Sequence, residues 1–213
     1  MNIKVCGVTS MKQIQQLDGL DIEFAGIVFD KKSPQYVAGK LDGEALKTAD
    51  LDIRKVGVFL DAGYDEIIKT VQQYGLDMVQ LEGSEPPELC RKLSGKTEVI
   101  KTFFIDNHPG ETIDSLVEEY DDTCDYYSFD TVVKKNFSGI AGNFDWQKIA
   151  ASKIEKPFFL GGGIRPGDLE VVRQFRHPDF YGIDLNCYFE KEPGVKDMAL
   201  ILAFVSGLRK LKS

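Results

Sequence analysis

Two residues fit proton-transfer chemistry by type and position, Cys6 and Asp130. Cys6 closes the short apolar run IKVC and precedes Gly7. By composition alone a lone Cys in an apolar stretch is a small buried hydrophobe. At a strand end it is also a candidate nucleophile or general base, since a thiol with a reference pKa of about 8.5 needs only modest activation near neutral pH. Asp130 closes the run YYSFD. It can cap a turn with Thr131; desolvated by its Tyr and Phe neighbours, it can instead hold a proton to donate. One base and one acid on opposite sides of a bound molecule are what a proton-transfer isomerase requires.

Further polar residues gather near other strand ends. Gly161, Gly162 and Gly163 precede a helix start at Pro166, a pattern that lets backbone N–H groups approach a phosphate or simply makes a turn. The run GIDLNCYFE brings Asp184 and Asn186 beside that loop, and MVQLEG brings Gln80 to the fourth strand end, where it is either a ligand contact or a satisfied polar residue. The four cysteines are far apart, and His108 and His177 are the only histidines, so neither a disulfide framework nor a zinc site is indicated. Acid–base work falls to Cys, Asp, Glu, Lys or Tyr. Glu118, Glu119, Asp121 and Asp122 read as a solvated face, and Trp146 as packing.

The elements that must position these residues recur as apolar runs, each followed by an amphipathic stretch: IKVC, FAGIVF, KVGVFL, MVQL, VIKTFF, YYSFD, PFFLG and FYGIDL. Eight βα units at a spacing of roughly 25 residues predict a (β/α)8 barrel over an open sheet. In that fold the C-terminal strand ends and the loops after them build the active site. Segments 30–39 and 131–144 are long for plain connections and fall on that face.

With 213 residues, 43% hydrophobic, the chain suits one barrel domain over 1–213. The net charge of −8 argues against nucleic acid as partner, while a small phosphometabolite, held by local backbone donors, remains compatible. No run approaches the roughly 18 apolar residues of a membrane span, and the N-terminus lacks a signal-peptide apolar core, so a cytosolic location is expected.

Taken together, KVCGVT at 4–9, GIVFDKKSPQYV at 26–37, VGVFLD at 56–61, VQLEG at 79–83, FDT at 129–131, GNFDW at 142–146, LGGGIRP at 160–166, and GIDLN with FEKEPGVKD at 182–197 resemble the phosphoribosylanthranilate isomerase family of tryptophan biosynthesis. The resemblance spans nearly the whole chain, and Lys-x-Cys-Gly-x-Thr followed by Ser-Pro-x-Tyr-Val is its most specific part. It implies a cofactor-free Amadori rearrangement of N-(5′-phosphoribosyl)anthranilate, with Cys6 as general base, Asp130 as general acid and no metal. It also implies that Gln35, Gln80 and Asp184 contact substrate and that Gly142, Gly162, Gly163, Asn186 and Cys187 surround the phosphate. A monomer is the expected state.

The departures bear on affinity. Gln35 stands near where the family usually places an Arg that grips the anthranilate carboxylate, replacing a charge-assisted contact of about 1.5–3 kcal/mol by a neutral one; Lys31, Lys32 and Arg165 are the nearest candidate replacements. The segment Gly139-Ile140-Ala141-Gly142-Asn143 lacks the family's Lys, and Asp184-Leu185-Asn186-Cys187-Tyr188 lacks its serines. These changes keep two alternatives open: a barrel enzyme acting on a different phosphosugar, or a non-catalytic phosphometabolite-binding relative.

Overall fold

The computed structural model describes residues 1–105, 110–131 and 146–210. Eight strands, β1 (Asn2–Cys6), β2 (Phe24–Val28), β3 (Arg54–Phe59), β4 (Met78–Leu81), β5 (Glu98–Phe104), β6 (Tyr126–Asp130), β7 (Phe158–Leu160) and β8 (Phe180–Leu185), pair in parallel in chain order. The ring closes where β8 pairs with β1, aligning Asp184 with Lys4. Helices α1 (Met11–Asp18), α2 (Gly43–Thr48), α3 (Tyr64–Tyr74), α4 (Pro87–Ser94), α5 (Ile113–Val117), α6 (Trp146–Ala150), α7 (Leu169–Gln174) and α8 (Met198–Arg209) alternate with the strands. The result is the (β/α)8 barrel expected from the recurring runs.

Alternation along each strand divides two cores. One set of side chains, including Val5, Ile27, Val79, Phe129 and Leu160, packs outward against the helices. The other set fills the barrel in layers. Phe24, Val56, Met78, Ile100 and Phe159 plug the lower end, with Phe24 edge-on to Phe159 at 5.4 Å. Burying each such side chain contributes about 1.5–3 kcal/mol. Above the plug lies a polar layer containing Lys4, Gln80, Thr102, Ser128 and Asp184, all buried. Cys6, Val28 and Val58 pack together above that layer.

Helix ends follow local chemistry. Ser10 caps α1 by accepting from the Gln13 N–H, and Asp197 caps α8 by accepting from Ala199 and Leu200. The helical pattern at 110–120 yields only α5 and a 3-10 turn at Glu118–Tyr120, because Thr112 caps a helix that starts at Ile113. Pro166–Asp168 is likewise a 3-10 turn ahead of α7, tightened by the Asp168 carboxylate accepting from the Arg165 N–H at 2.8 Å.

One element has no counterpart among the predicted runs. Residues after β8 form a hairpin of β9 (Glu190–Glu192) and β10 (Val195–Lys196), turning at Gly194 with φ +81°. Its strands are too short and polar for an apolar pattern to reveal them.

Candidate active site

Cys6 ends β1 in register with Gly26 of β2. A Cβ at Gly26 would lie 2.8 Å from the Cys6 Sγ, so the absence of a side chain there is what admits the thiol. Cys6 is 3% exposed. Burial pushes its thiol up to about 12, against the pull of the Lys4 ammonium, and the Asp184 and Glu82 carboxylates reinforce the rise.

Asp130 ends β6, separated from β1 by β7 and β8 around the ring. A Cβ at Gly161 would stand 3.0 Å from its Oδ2, so glycine again makes the space. Its Oδ1 accepts from the Thr131 N–H at 2.6 Å, combining the expected turn with the placement of the carboxyl group. Burial pushes that group up to about 8, with the Glu82 and Asp184 carboxylates adding to the shift. Both effects favour the neutral, proton-holding form, the state a proton donor needs.

Beneath the rim, Lys4 Nζ donates to Asp184 Oδ2 at 2.5 Å, and both side chains are buried. Burial alone would lower the Lys4 pKa, but the Asp184 carboxylate, with Cys6 and Glu82 adding to it, holds the ammonium above its ordinary value. Asp184 is thus spent on a structural ion pair, although its Oδ1 is buried without a partner. Gln80, also in this layer, donates through Nε2 to Glu82 Oε1 at 2.9 Å, and its own Oε1 has no partner.

Gln35, in the loop after β2, lies against Gly7, whose φ of +79° and lack of Cβ leave room for the amide. Its Nε2 donates to Asn186 Oδ1 and to Glu190 Oε1, each at 2.7 Å. Lys196 Nζ donates to the same two acceptors at 2.9 and 2.7 Å. This partly buried network joins the loop after β2 to the end of β8 and to the β9–β10 hairpin. Thr9 Oγ1 and Gln13 Nε2 donate to the Gly194 carbonyl at 2.6 and 3.0 Å and stitch the same hairpin to the start of the chain.

A cavity of about 90 Å³ opens between these groups. Val28, Val58, Phe59 and Leu60 form an apolar wall; Cys6, Asp30, Ser33, Gln35, Glu82 and Asn186 supply polar atoms. Toward β7 and β8, Gly162 and Gly163 take φ of +71° and +80°. Arg165 stacks its guanidinium 5.0 Å above the Tyr188 ring, and Cys187 is exposed. Gly142 lies outside the described residues, as does most of the segment 131–144.

Residues 3–207 match the family of N-(5′-phosphoribosyl)anthranilate (PRA) isomerases. The chain belongs to the phosphoribosylanthranilate isomerase family. The isomerase of Parabacteroides distasonis is 38% identical over 209 residues, covering 96% of this chain and 92% of the relative. That of Phocaeicola vulgatus is 35% identical over 211 residues, covering 99% and 98%. Among solved structures, the phosphoribosylanthranilate isomerase of Thermus thermophilus superposes with a TM-score of 0.80 at 27% identity, each chain covered in full. An isomerase solved with reduced 1-(o-carboxyphenylamino)-1-deoxyribulose 5-phosphate has the same fold, with a TM-score of 0.79 at 24% identity, covering 99% of this chain and 100% of its own.

Within this isomerase family member, sequence reasoning found the two strand-end groups but missed Glu82, Glu190 and Lys196. All three stand inside the quoted runs VQLEG and FEKEPGVKD. Burial is what distinguishes them: the Lys196 side chain is wholly buried and that of Glu190 is 7% exposed. Lys31 and Lys32, by contrast, are exposed.

Proposed function

We propose that this isomerase converts N-(5′-phosphoribosyl)anthranilate to 1-(2-carboxyphenylamino)-1-deoxyribulose 5-phosphate, a step of tryptophan biosynthesis, using Asp130 as general acid and Cys6 as general base. The observation that carries these roles is the pair's arrangement: a carboxyl group ending β6 and a buried thiol ending β1, at the same end of one barrel.

Asp130 protonates the furanose ring oxygen, the C1′–O bond breaks, and the amine nitrogen's lone pair forms a cationic Schiff base at C1′. That cation beside Cys6 lowers the cost of forming thiolate, which burial opposes in the free protein; the thiol proton leaves to solvent and the Asp130 carboxylate regains one from it, so both groups are reset once the thiolate has taken the C2′ proton. The thiolate removes the C2′ proton, and the electron pair left at C2′ neutralises the iminium to give an enolamine. Tautomerisation places a proton on C1′ and leaves the ketone at C2′, so reactant and product are isomers.

Gly162, Gly163, Asn186 and Cys187 line the phosphate end, where backbone N–H groups act as donors; the family resemblance adds Gly142, which lies outside the described residues. The anthranilate ring occupies the cavity walled by Val28, Val58, Phe59 and Leu60. Asp184 supports the site through Lys4, and Gln80 through Glu82. The whole chain works as one barrel domain and as a monomer in the cytoplasm, without a cofactor; among the described residues no helix is long and apolar enough to cross a membrane. A relative from Thermotoga maritima is dimeric, so the oligomeric state is to be measured by light scattering.

The test is loss of anthranilate-adduct fluorescence when the protein meets freshly generated phosphoribosylanthranilate, with the Cys6→Ser, Asp130→Asn double variant as control. Turnover by the wild type and none by the folded control is the expected result. No turnover by folded wild type would reject the assignment.

A further inference from the structure

The substrate proposed above carries a carboxylate on its aromatic ring, yet among the described residues lining the cavity none is Lys or Arg. Both Nε2 hydrogens of Gln35 are spent on Asn186 and Glu190. Asp30 and Glu82 are the ionisable carboxyl groups lining the cavity, and either would repel the incoming carboxylate if ionised. Glu82 is held in place. The Gln80 amide donates to its Oε1, leaving the other oxygen for a proton. The loop that follows is pinned by the buried Glu85–Lys101 ion pair at 2.8 Å and by Lys101 Nζ donating to the Gly83 carbonyl at 2.6 Å.

We propose that Glu82 is the specificity residue for the anthraniloyl group: as a neutral acid it donates a hydrogen bond to the substrate carboxylate, so the protein captures substrate only in the Glu82-protonated form. The inference rests on the isomerase reading and adds to it the partner of the carboxylate. A hydrogen bond between a neutral acid and a carboxylate is charge-assisted and short, and supplies the strength a missing cation would have given.

The surroundings favour the neutral form. Burial pushes the Glu82 carboxyl up to about 7; Lys4 on β1 opposes the shift, Asp184 on β8 adds to it, the Gln80 amide opposes and Glu85 adds again. Cys6 and Asp130 feel the same charge, since Glu82 raises the pKa of each. Asp30, after β2, lines the same cavity. Asp61, after β3, accepts from the Ser84 N–H beside the loop, and Lys101 on β5 is engaged by Glu85.

The test is the affinity of the reduced product analogue, 1-(o-carboxyphenylamino)-1-deoxyribulose 5-phosphate with its ketone reduced, measured by calorimetry from pH 6 to 8. It is compared with the same analogue lacking the ring carboxylate. For wild type the Kd of the carboxylated analogue should rise about tenfold over that range as Glu82 loses its proton. Glu82→Gln keeps a donor that cannot ionise. Its Kd should stay near the wild-type value at pH 6 and lose most of the pH dependence, while Glu82→Ala should bind weakly throughout. The analogue without carboxylate reports the phosphate, whose second ionisation lies near pH 6; it should respond identically in wild type and variants. An equal pH slope for wild type and Glu82→Gln with the carboxylated analogue would overturn the proposal. So would a collapse of kcat in Glu82→Gln with unchanged Kd, which would assign Glu82 to proton transfer. Because binding is read without turnover, failure here is distinguishable from failure of the isomerase assignment.

Discussion

Gly26 and Cys6 face each other across the β1–β2 pair so closely that a Cβ on the glycine would meet the thiol sulfur at 2.8 Å and the Cys6 Cα at 2.9 Å. Gly26→Ala should therefore displace the proposed base. We expect a stability loss of about 1–3 kcal/mol by urea denaturation, from overpacking against a backbone atom that cannot yield. Because misplacement of a catalytic group by an ångström costs about 10²-fold, kcat should fall by that order while folded protein remains. Unchanged kcat would mean that the thiol position is not critical.

Cys6→Ser and Asp130→Asn each remove one of the proposed proton-transfer groups while conserving shape. Each should lower kcat by about 10²–10⁴, the usual range for positioned acid–base groups. Near-normal turnover in either variant would reject that residue's role.

Asp130→Asn should also separate activity from stability. The Asp130 carboxyl is raised from the ordinary 3.8 to about 8, so the folded state retains a proton that the unfolded chain gives up. Its contribution to stability is full below about pH 4 and is lost as pH rises toward 8. Asparagine cannot ionise, so the Tm of the variant relative to wild type should increase from pH 5 to pH 9. In activity the sign is the same: with Glu82→Gln as background, to remove the titration of Glu82, kcat/KM should fall with rising pH as Asp130 loses its proton, at a pH below about 8 because the Glu82 carboxylate that helps raise Asp130 is gone. A difference in Tm that does not vary with pH would show that Asp130 ionises freely in the folded protein.

Lys4→Met leaves the Asp184 carboxylate buried without its partner. The expected loss is about 3–5 kcal/mol by urea denaturation, as for other buried pairs broken on one side. Adding Asp184→Asn should restore much of the stability, since no charge then remains unpaired. No recovery in the double variant would place the cost in packing of the Lys4 stem.

Lys196→Met tests the network behind Gln35. Lys196 shares the acceptors Asn186 Oδ1 and Glu190 Oε1 with the Gln35 amide. With the ammonium gone, Gln35 and Asn186 should loosen and KM should rise more than kcat falls. A lowered kcat with constant KM would indicate that the network bears on the proton-transfer groups instead.

The sequence made the barrel readable because each strand is an apolar run bounded by polar turns, and β4 and β8 begin and end where MVQL and FYGIDL do. Cys6 and Asp130 were legible for the same reason: each terminates such a run. The hairpin was not, since EKE and VK are too short and polar for any apolar pattern to mark them. Glu82 was hidden differently. In a chain with 34 acidic residues one more Glu after a strand carries no signal. Its significance comes from the cavity it shares with Cys6 and from Gln80, two residues earlier on the same face. Gln35 was visible only as a departure from the family, and its engagement by Asn186 and Glu190 joins residues more than 150 positions apart, which no local pattern shows.

The hairpin that ties Gly194 to Thr9 and Gln13 spans separations of 185 and 181 residues. On a ribosome adding about 5–20 residues each second, Cys6 is made some 10–40 s before its last neighbours exist. Until then β1 has no β8 to close against, and its edge remains open to other strands. The mouth of the barrel is therefore a late product of synthesis: a nascent chain already carries Cys6 and Asp130, but the mouth is assembled only when the segment ending at Lys196 arrives.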